Sequence, residues 1–124
     1  MTKPLALLCY ERLLPGGQLV SRLEDLGYRA QAVASPATLA EQAERETPLL
    51  VLADLEPRLD AVCAAIARLK ANPATAHIPV IAFAPATNVP AQNAARAAGA
   101  VLAVTDAAIV AHLNQFLEQA LRVD

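Results

Sequence analysis

Residues 49–53 have the sequence Leu-Leu-Val-Leu-Ala, and a single carboxylate, Asp54, follows directly. A continuous apolar run of this length, without alternating polar positions, is typical of a strand buried on both faces of a parallel sheet. Such a strand needs helices on both sides of the sheet. We therefore expect residues 49–53 to be a central strand and Asp54 to lie in the loop that follows it.

Four further apolar runs occur before and after this strand, separated by segments of helical period. The predicted strands are Leu5–Cys9, Tyr28–Val33, residues 49–53, Val80–Phe83 and Val101–Val104. The second run is the most polar and is expected at a sheet edge. Strict alternation of strand and helix predicts an α/β fold, with a five-stranded parallel sheet in a flavodoxin-like, doubly wound (βα)5 arrangement and strand order 2-1-3-4-5. We expect one domain over residues 1–124.

The first helix is expected to follow a loop that contains Pro15–Gly17 and to run to about Leu26. Leu19, Leu23 and Leu26 would form its apolar stripe, and Gly27 occupies a C-cap position.

The later helices also carry sequence signals at their ends. Ser35 and Pro36 are typical of a helix start, and that helix should end near Glu46. The next three are predicted from Leu59 to Ala71, from Pro90 to Ala98, and after the fifth strand. The last has one apolar face, formed by Ile109, Leu113, Phe116, Leu117, Ala120 and Leu121.

Composition excludes several classes of function. The net charge of −2 gives no basic patch for nucleic acid, and no apolar run reaches the ~18 residues of a membrane span. The N-terminus has no small-residue cleavage site, so no signal peptide is predicted. Cys9 and Cys63 lie in apolar surroundings and are expected to be free thiols. We expect a cytoplasmic protein of bacterial type.

Four carboxylates follow the predicted strands: Glu11, Asp54, Glu56 and Asp106. Ligands of open parallel sheets bind beyond the carboxyl ends of the strands, so these residues are the candidates for a site. The alternative is that they cap helices and face water. Asp106 suits the N-cap of the last helix, whereas for Asp54 the two interpretations are evenly balanced.

Three stretches carry a resemblance to a known family. Asp54 after its apolar strand, residues 72–81 (Asn-Pro-Ala-Thr-Ala-His-Ile-Pro-Val-Ile) and residues 98–100 (Ala-Gly-Ala) together resemble the receiver domains of bacterial response regulators, the CheY-like family. The resemblance covers essentially the whole chain, and residues 72–81 are its most specific part. It implies that Asp54 is the phosphoacceptor equivalent.

The same resemblance implies that most of the phosphorylation machinery is missing. The family's acidic pair, which helps to hold Mg²⁺, corresponds to Tyr10 and Glu11, so one acid is lost. The hydroxyl residue that normally ends the fourth strand corresponds to Ala84. The lysine that normally ends the fifth strand corresponds to Asp106, and the aromatic switch position corresponds to Ala103.

These substitutions have chemical consequences. Phosphoryl transfer to a carboxylate depends on Mg²⁺ and on a cation near the transferring oxygens, and Asp106 has the wrong charge for that role. Crowded carboxylates raise a pKa or recruit a cation. We therefore predict that no cofactor is required and that Glu11, Asp54 and Glu56 form a weak divalent-cation site, for example for Mg²⁺.

The leading hypothesis is a stand-alone pseudo-receiver of two-component signalling, a non-enzymatic module that binds a signalling protein or a histidine kinase without classical phosphorylation switching. Homodimerisation through a face that includes the small-residue stretch Ala94–Ala100 is a further expectation. Two alternatives stay open. One is a working single-domain response regulator of a phosphorelay, phosphorylated on Asp54, and the other is a flavodoxin-like domain that binds a small ligand.

Overall fold

The computed structural model describes residues 3–56 and 58–121, and within them it contains one five-stranded parallel sheet. The strand order is β2-β1-β3-β4-β5, as predicted from the sequence. β3 lies at the centre and all of its residues are buried, and β2 lies at one edge. The strands are β1 (Leu5–Cys9), β2 (Arg29–Val33), β3 (Leu50–Asp54), β4 (Val80–Ala84) and β5 (Leu102–Thr105).

Helices cover both faces of the sheet, which follows from the alternation of strands and helices. They are α1 (Leu13–Asp25), α2 (Pro36–Glu46), α3 (Leu59–Ala71), α4 (Val89–Ala98), α5 (Asp106–Ala111) and α6 (Leu113–Leu121). Each strand alternates its side chains between the two faces. In β3, Val51 and Ala53 pack towards α2, α3 and α4, and Leu50 and Leu52 pack towards α1, α5 and α6.

The first helix differs from the prediction. Pro15–Gly17 is not a loop before the helix, because α1 already begins at Leu13, with a non-helical residue at Leu14. Gly16 is buried under the ring of Tyr10, and a Cβ at this glycine would lie 2.1 Å from the Tyr10 Cδ2 atom. The glycine therefore allows the helix to start close to the end of β1. At the other end, Leu26 is 41% exposed and does not extend the buried stripe.

The C-terminal region also differs, because the single predicted helix is divided into α5 and α6 at His112. The predicted apolar face is nevertheless present: Ile109, Leu113 and Leu117 are buried in the core on this side of the sheet. The N-cap of α5 is Thr105, whose hydroxyl oxygen accepts a hydrogen bond from the Ala108 amide at 3.1 Å. The prediction that Asp106 caps this helix is therefore wrong.

Both cysteines are free thiols, as expected: Cys9 is buried at the end of β1, and Cys63 is half-buried on α3. Within residues 3–56 and 58–121, no helix is long and apolar enough to cross a membrane.

Candidate functional site: a carboxylate cleft closed by two arginines

Asp54 is the last residue of β3 rather than part of the following loop, and its side chain is fully buried. Both carboxylate oxygens accept hydrogen bonds from Arg12: Oδ2 from Nε at 2.9 Å and Oδ1 from Nη2 at 2.6 Å. Oδ1 also accepts a hydrogen bond from the Glu56 amide at 3.0 Å. This is the bidentate geometry in which a guanidinium binds a carboxylate most strongly.

The same guanidinium contacts a second carboxylate. Arg12 Nη1 donates to Asp106 Oδ2 at 3.1 Å, and Nη2 donates to Asp106 Oδ1 at 3.2 Å. Arg12 follows β1, Asp54 ends β3, and Asp106 begins α5, so one side chain links three segments at the carboxyl edge of the sheet. We call Arg12, Asp54 and Asp106 the inner cluster.

A second arginine–carboxylate pair lies nearby and is more exposed. Arg58 Nε donates to Glu11 Oε2 at 2.8 Å, and Arg58 Nη2 donates to Glu11 Oε1 at 3.1 Å. We call Glu11 and Arg58 the outer pair. The adjacent residues Glu11 and Arg12 thus contact opposite charges, and together they tie the loop after β1 to the region around β3.

The other predicted site residues lie around this cleft. Glu56 accepts a hydrogen bond from Asn88 Nδ2 at 2.9 Å, which joins the loop after β3 to the start of α4. Ala84 and Ala103 are buried in the core, at the end of β4 and within β5. Tyr10 is half-buried, and its ring belongs to the apolar cluster on the α1 side rather than to the charged cleft.

The cleft changes the acidity of its members. Burial raises the pKa of the Asp54 carboxyl above its ordinary value, against the opposing effect of Arg12, and the charge of Asp106 adds to the rise. The hydrogen bond to Asp54 raises the pKa of Arg12, so this guanidinium stays protonated. Crowded carboxylates have thus gathered a cation, and the cation is a side chain of the same chain.

The carboxylates do not have the arrangement of a divalent-cation site. Among residues 3–56 and 58–121, no group of three or more His, Cys, Asp or Glu side chains is placed to hold a metal. Asp54 is bound by Arg12, and Glu11 by Arg58. The amide of Asn88 binds Glu56. Each of these three carboxylates therefore has a protein partner, and the residues as placed do not fit a bound Mg²⁺ ion.

Arg12 and Arg58 were not identified from the sequence. A search for carboxylates at the strand ends finds the acids but leaves their cations unassigned. Arg12 stands next to Glu11, directly after β1, so its place in the sequence already puts it at the carboxyl edge of the sheet. A cation in that loop, together with the carboxylate of Asp106, is the signal that could have revealed the contact between Arg12 and the two acids.

No family model and no curated protein sequence matches the chain significantly, whereas 227 chains of known structure do. The fold is that of response-regulator receiver domains. A response regulator from Chloroflexus aurantiacus superposes with a TM-score of 0.87 at 18% identity, over 97% of this chain and 98% of the other. The receiver domain of NtrX from Brucella abortus gives 0.81 at 19% identity, over 96% and 99%.

A third similar structure is the receiver domain of the sensor histidine kinase PA1611 from Pseudomonas aeruginosa. Its TM-score is 0.85 at 20% identity, over 97% of this chain and 98% of the other, and it was crystallised with a magnesium ion coordinated in its active-site cleft. The superpositions establish that the chain shares the fold of these receiver domains, and identities of 18–20% establish no more than that. The chemistry of its cleft has to be argued from its own residues.

Proposed function

We propose that the chain is a receiver-like protein-interaction module of cytoplasmic bacterial signalling that does not use an aspartyl phosphate as its switch. The observation that carries this proposal is the bidentate contact between Arg12 and the fully buried carboxylate of Asp54. The partner is a signalling protein or a histidine kinase, bound through the surface of the receiver fold.

The engaged carboxylate is a poor nucleophile for phosphoryl transfer. Attack on a phosphorus atom needs an accessible carboxylate oxygen, and the fully buried Asp54 side chain has both oxygens engaged by Arg12. A phosphoryl donor could therefore reach Asp54 only after the Arg12 side chain had moved. The transferred group would then lie near Asp106, whose negative charge opposes the charge that develops on the phosphoryl oxygens.

The residues at the expected response positions in β4 and β5 are also unsuited to respond to a phosphoryl group. Ala84 has no hydroxyl to donate a hydrogen bond to a phosphoryl oxygen, and it is fully buried. Ala103, at the position of the aromatic switch, is buried in the core and has no side chain that could move between two rotamers. Phosphorylation would therefore have no group through which to reorganise the α4–β5 side of the domain.

The Arg12 guanidinium also favours one alternative, a working receiver phosphorylated on Asp54. Arg12 supplies one positive charge beside the acceptor, and guanidinium groups stabilise transferring phosphoryl groups in many enzymes. Against this alternative stand the two occupied acceptor oxygens and the absent hydroxyl. The two functions differ in a covalent product, so a mass measurement separates them.

The test is incubation with acetyl phosphate and Mg²⁺, followed by intact-mass spectrometry, with a phosphorylatable receiver domain treated in parallel. We expect no phosphoryl addition to this chain, and equal capture of its partners by the wild type and the Asp54→Asn variant. A mass gain of one phosphoryl group that Asp54→Asn abolishes would establish the alternative and contradict the proposal.

Homodimerisation through the face formed by α4, β5 and α5 is a further part of the proposal. The alanine stretch contributes less to this face than the sequence suggested, because Ala95 and Ala100 are buried against the core. Val89, at the start of α4, and Val101, just before β5, are each more than half exposed and offer apolar contact area. Light scattering coupled to size-exclusion chromatography measures the oligomeric state directly, and a monomer at all concentrations would remove this part.

A further inference from the structure

We propose that Arg12 is the resident cation of the cleft and that it excludes divalent metal ions from the Asp54 carboxylate. The inference concerns the same site as the proposed function but does not depend on phosphorylation. It predicts a latent metal site that a single substitution uncovers.

Three acids carry the inference, and the first is Asp54. Its two oxygens accept three hydrogen bonds, two from Arg12 and one from the Glu56 amide, and the side chain is fully buried. A divalent cation is bound by carboxylate oxygens and water at short distances. Because the guanidinium faces both oxygens, a metal ion can approach Asp54 only after Arg12 has moved away.

Asp106 is the second acid. At the place where the receiver family has a lysine, this chain has a second carboxylate, and Arg12 lies between it and Asp54. Each of the three guanidinium nitrogens donates to a carboxylate oxygen. One guanidinium therefore neutralises part of the charge of two facing acids, which is the role a metal ion would otherwise take.

Glu11 is the third acid, and it is also withdrawn from metal binding. Its two oxygens accept hydrogen bonds from Arg58. Of the three acids expected to form a cation site, Asp54 and Glu11 are therefore each bound by their own arginine, and Glu56 is bound by the Asn88 amide. A metal ion in the wild-type cleft would meet the positive charge of Arg12 at close range.

Removal of the guanidinium should reverse this situation. In Arg12→Gln, Asp54 and Asp106 face each other without a cation, and two carboxylates around an empty space are an oxygen-ligand set suited to Mg²⁺ or Mn²⁺. The change of one unit of positive charge next to the site is expected to strengthen metal affinity by about tenfold or more. The double variant Arg12→Gln/Asp54→Asn should lose this gain.

The test is titration with MnCl₂, followed by paramagnetic broadening of backbone amide signals in ¹⁵N-labelled protein. We expect the amides around Asp54 and Asp106 to stay sharp at millimolar Mn²⁺ in the wild type and in the control Arg58→Gln. They should broaden in Arg12→Gln and recover in the double variant. Excess Mg²⁺ should reverse the broadening.

Two results would overturn the inference: equal broadening in the wild type and Arg12→Gln, or no broadening in a folded Arg12→Gln. If Arg12→Gln does not fold, Arg12→Lys replaces it, since lysine keeps a charge but cannot form the bidentate contact. Its Mn²⁺ affinity should be higher than that of the wild type, and an unchanged affinity would contradict the inference. None of these results depends on acetyl phosphate, so failure here is distinguishable from failure of the proposed function.

Discussion

The inner cluster and the outer pair contain the same chemical groups but lie in different environments. In the inner cluster, a quarter of the Arg12 side chain is exposed and the Asp54 side chain is fully buried. In the outer pair, the Arg58 side chain is 55% exposed and that of Glu11 is 31% exposed. Both pairs are bidentate, so their hydrogen-bond geometry is similar.

The difference indicates that burial, more than hydrogen-bond geometry, sets how much each pair contributes to the free energy of unfolding. Exposed ion pairs contribute little free energy, because water and salt screen them. A buried carboxylate that loses its partner keeps an uncompensated charge in the protein interior, which lowers the free energy of unfolding. The inner cluster therefore sets the charge balance around Asp54, and the outer pair mainly holds the loop after β1 in place.

The largest effect is expected for Arg12→Ala. This variant leaves the buried Asp54 carboxylate beside Asp106 without a cation, and it should lower the free energy of unfolding by about 3 kcal/mol, the lower end for a broken buried pair. For a chain of this length that corresponds to a melting temperature lower by about 10 °C. Thermal unfolding monitored by circular dichroism measures it, and a shift no larger than that of Arg58→Ala would contradict the comparison.

Asp54→Asn should lower the free energy of unfolding by less, about 1 kcal/mol at neutral pH. The variant loses charge-assisted hydrogen bonds but is relieved of a buried charge, and Arg12 keeps its contacts with Asp106. Because the folded-state pKa of Asp54 is raised, the folded wild type binds a proton more readily than the unfolded chain. The stability of the wild type relative to Asp54→Asn should therefore fall as the pH rises from the ordinary carboxyl pKa through the raised one.

Urea unfolding of both proteins across the acid-to-neutral range measures this difference. A relative stability that rises with pH would show that Arg12 outweighs burial in setting the pKa of Asp54.

A still smaller effect is expected for Arg58→Ala. Since the outer pair is exposed, its loss should change the free energy of unfolding by less than about 1 kcal/mol, and added salt should reduce the difference further. Urea unfolding at low and high NaCl concentration checks both parts. A loss comparable to that of Arg12→Ala would show that the two pairs are equivalent, contrary to the comparison.

The last prediction concerns the reactivity of the Cys9 thiol, which lies beneath the cleft, rather than the stability of the protein. Burial, together with the charges of Glu11 and Asp54, raises the pKa of the Cys9 thiol to about 12, and the half-buried Cys63 is more accessible. Because disulfide reagents react with an accessible thiolate, such a reagent should modify Cys63 first. The rates are measured in the single variants Cys9→Ala and Cys63→Ala, and a Cys9 thiol that reacts as fast as Cys63 would contradict the prediction.

Much of the fold could be predicted from the sequence, because β3 and its neighbours have unambiguous apolar patterns. Strand number, order and edge position agree with the structure. The errors lie where tertiary contacts decide. The start of α1 depends on Tyr10 packing over Gly16, and the break at His112 lies within an otherwise continuous helical pattern.

The site was predictable in part. The positions of Asp54, Asp106 and Ala84 at the carboxyl edge follow from strand ends and from the resemblance to receiver domains, as does that of Ala103 within β5. The direction of the Arg12 side chain does not, since a long flexible side chain after a strand can turn to solvent or into the cleft. The inward orientation is favoured by the carboxylates of Asp54 and Asp106, which lie 42 and 94 positions from Arg12 in the sequence.

The central claim, that Arg12 holds Asp54, is tested most directly by the side-chain Nε–H signals of arginine in a ¹H–¹⁵N NMR spectrum. The account predicts one Nε–H signal, assigned to Arg12 through its absence in Arg12→Lys, that exchanges with solvent much more slowly than the others and loses this protection in Asp54→Asn. Exchange of the Arg12 Nε–H at the rate of exposed arginines, unchanged by Asp54→Asn, would contradict it.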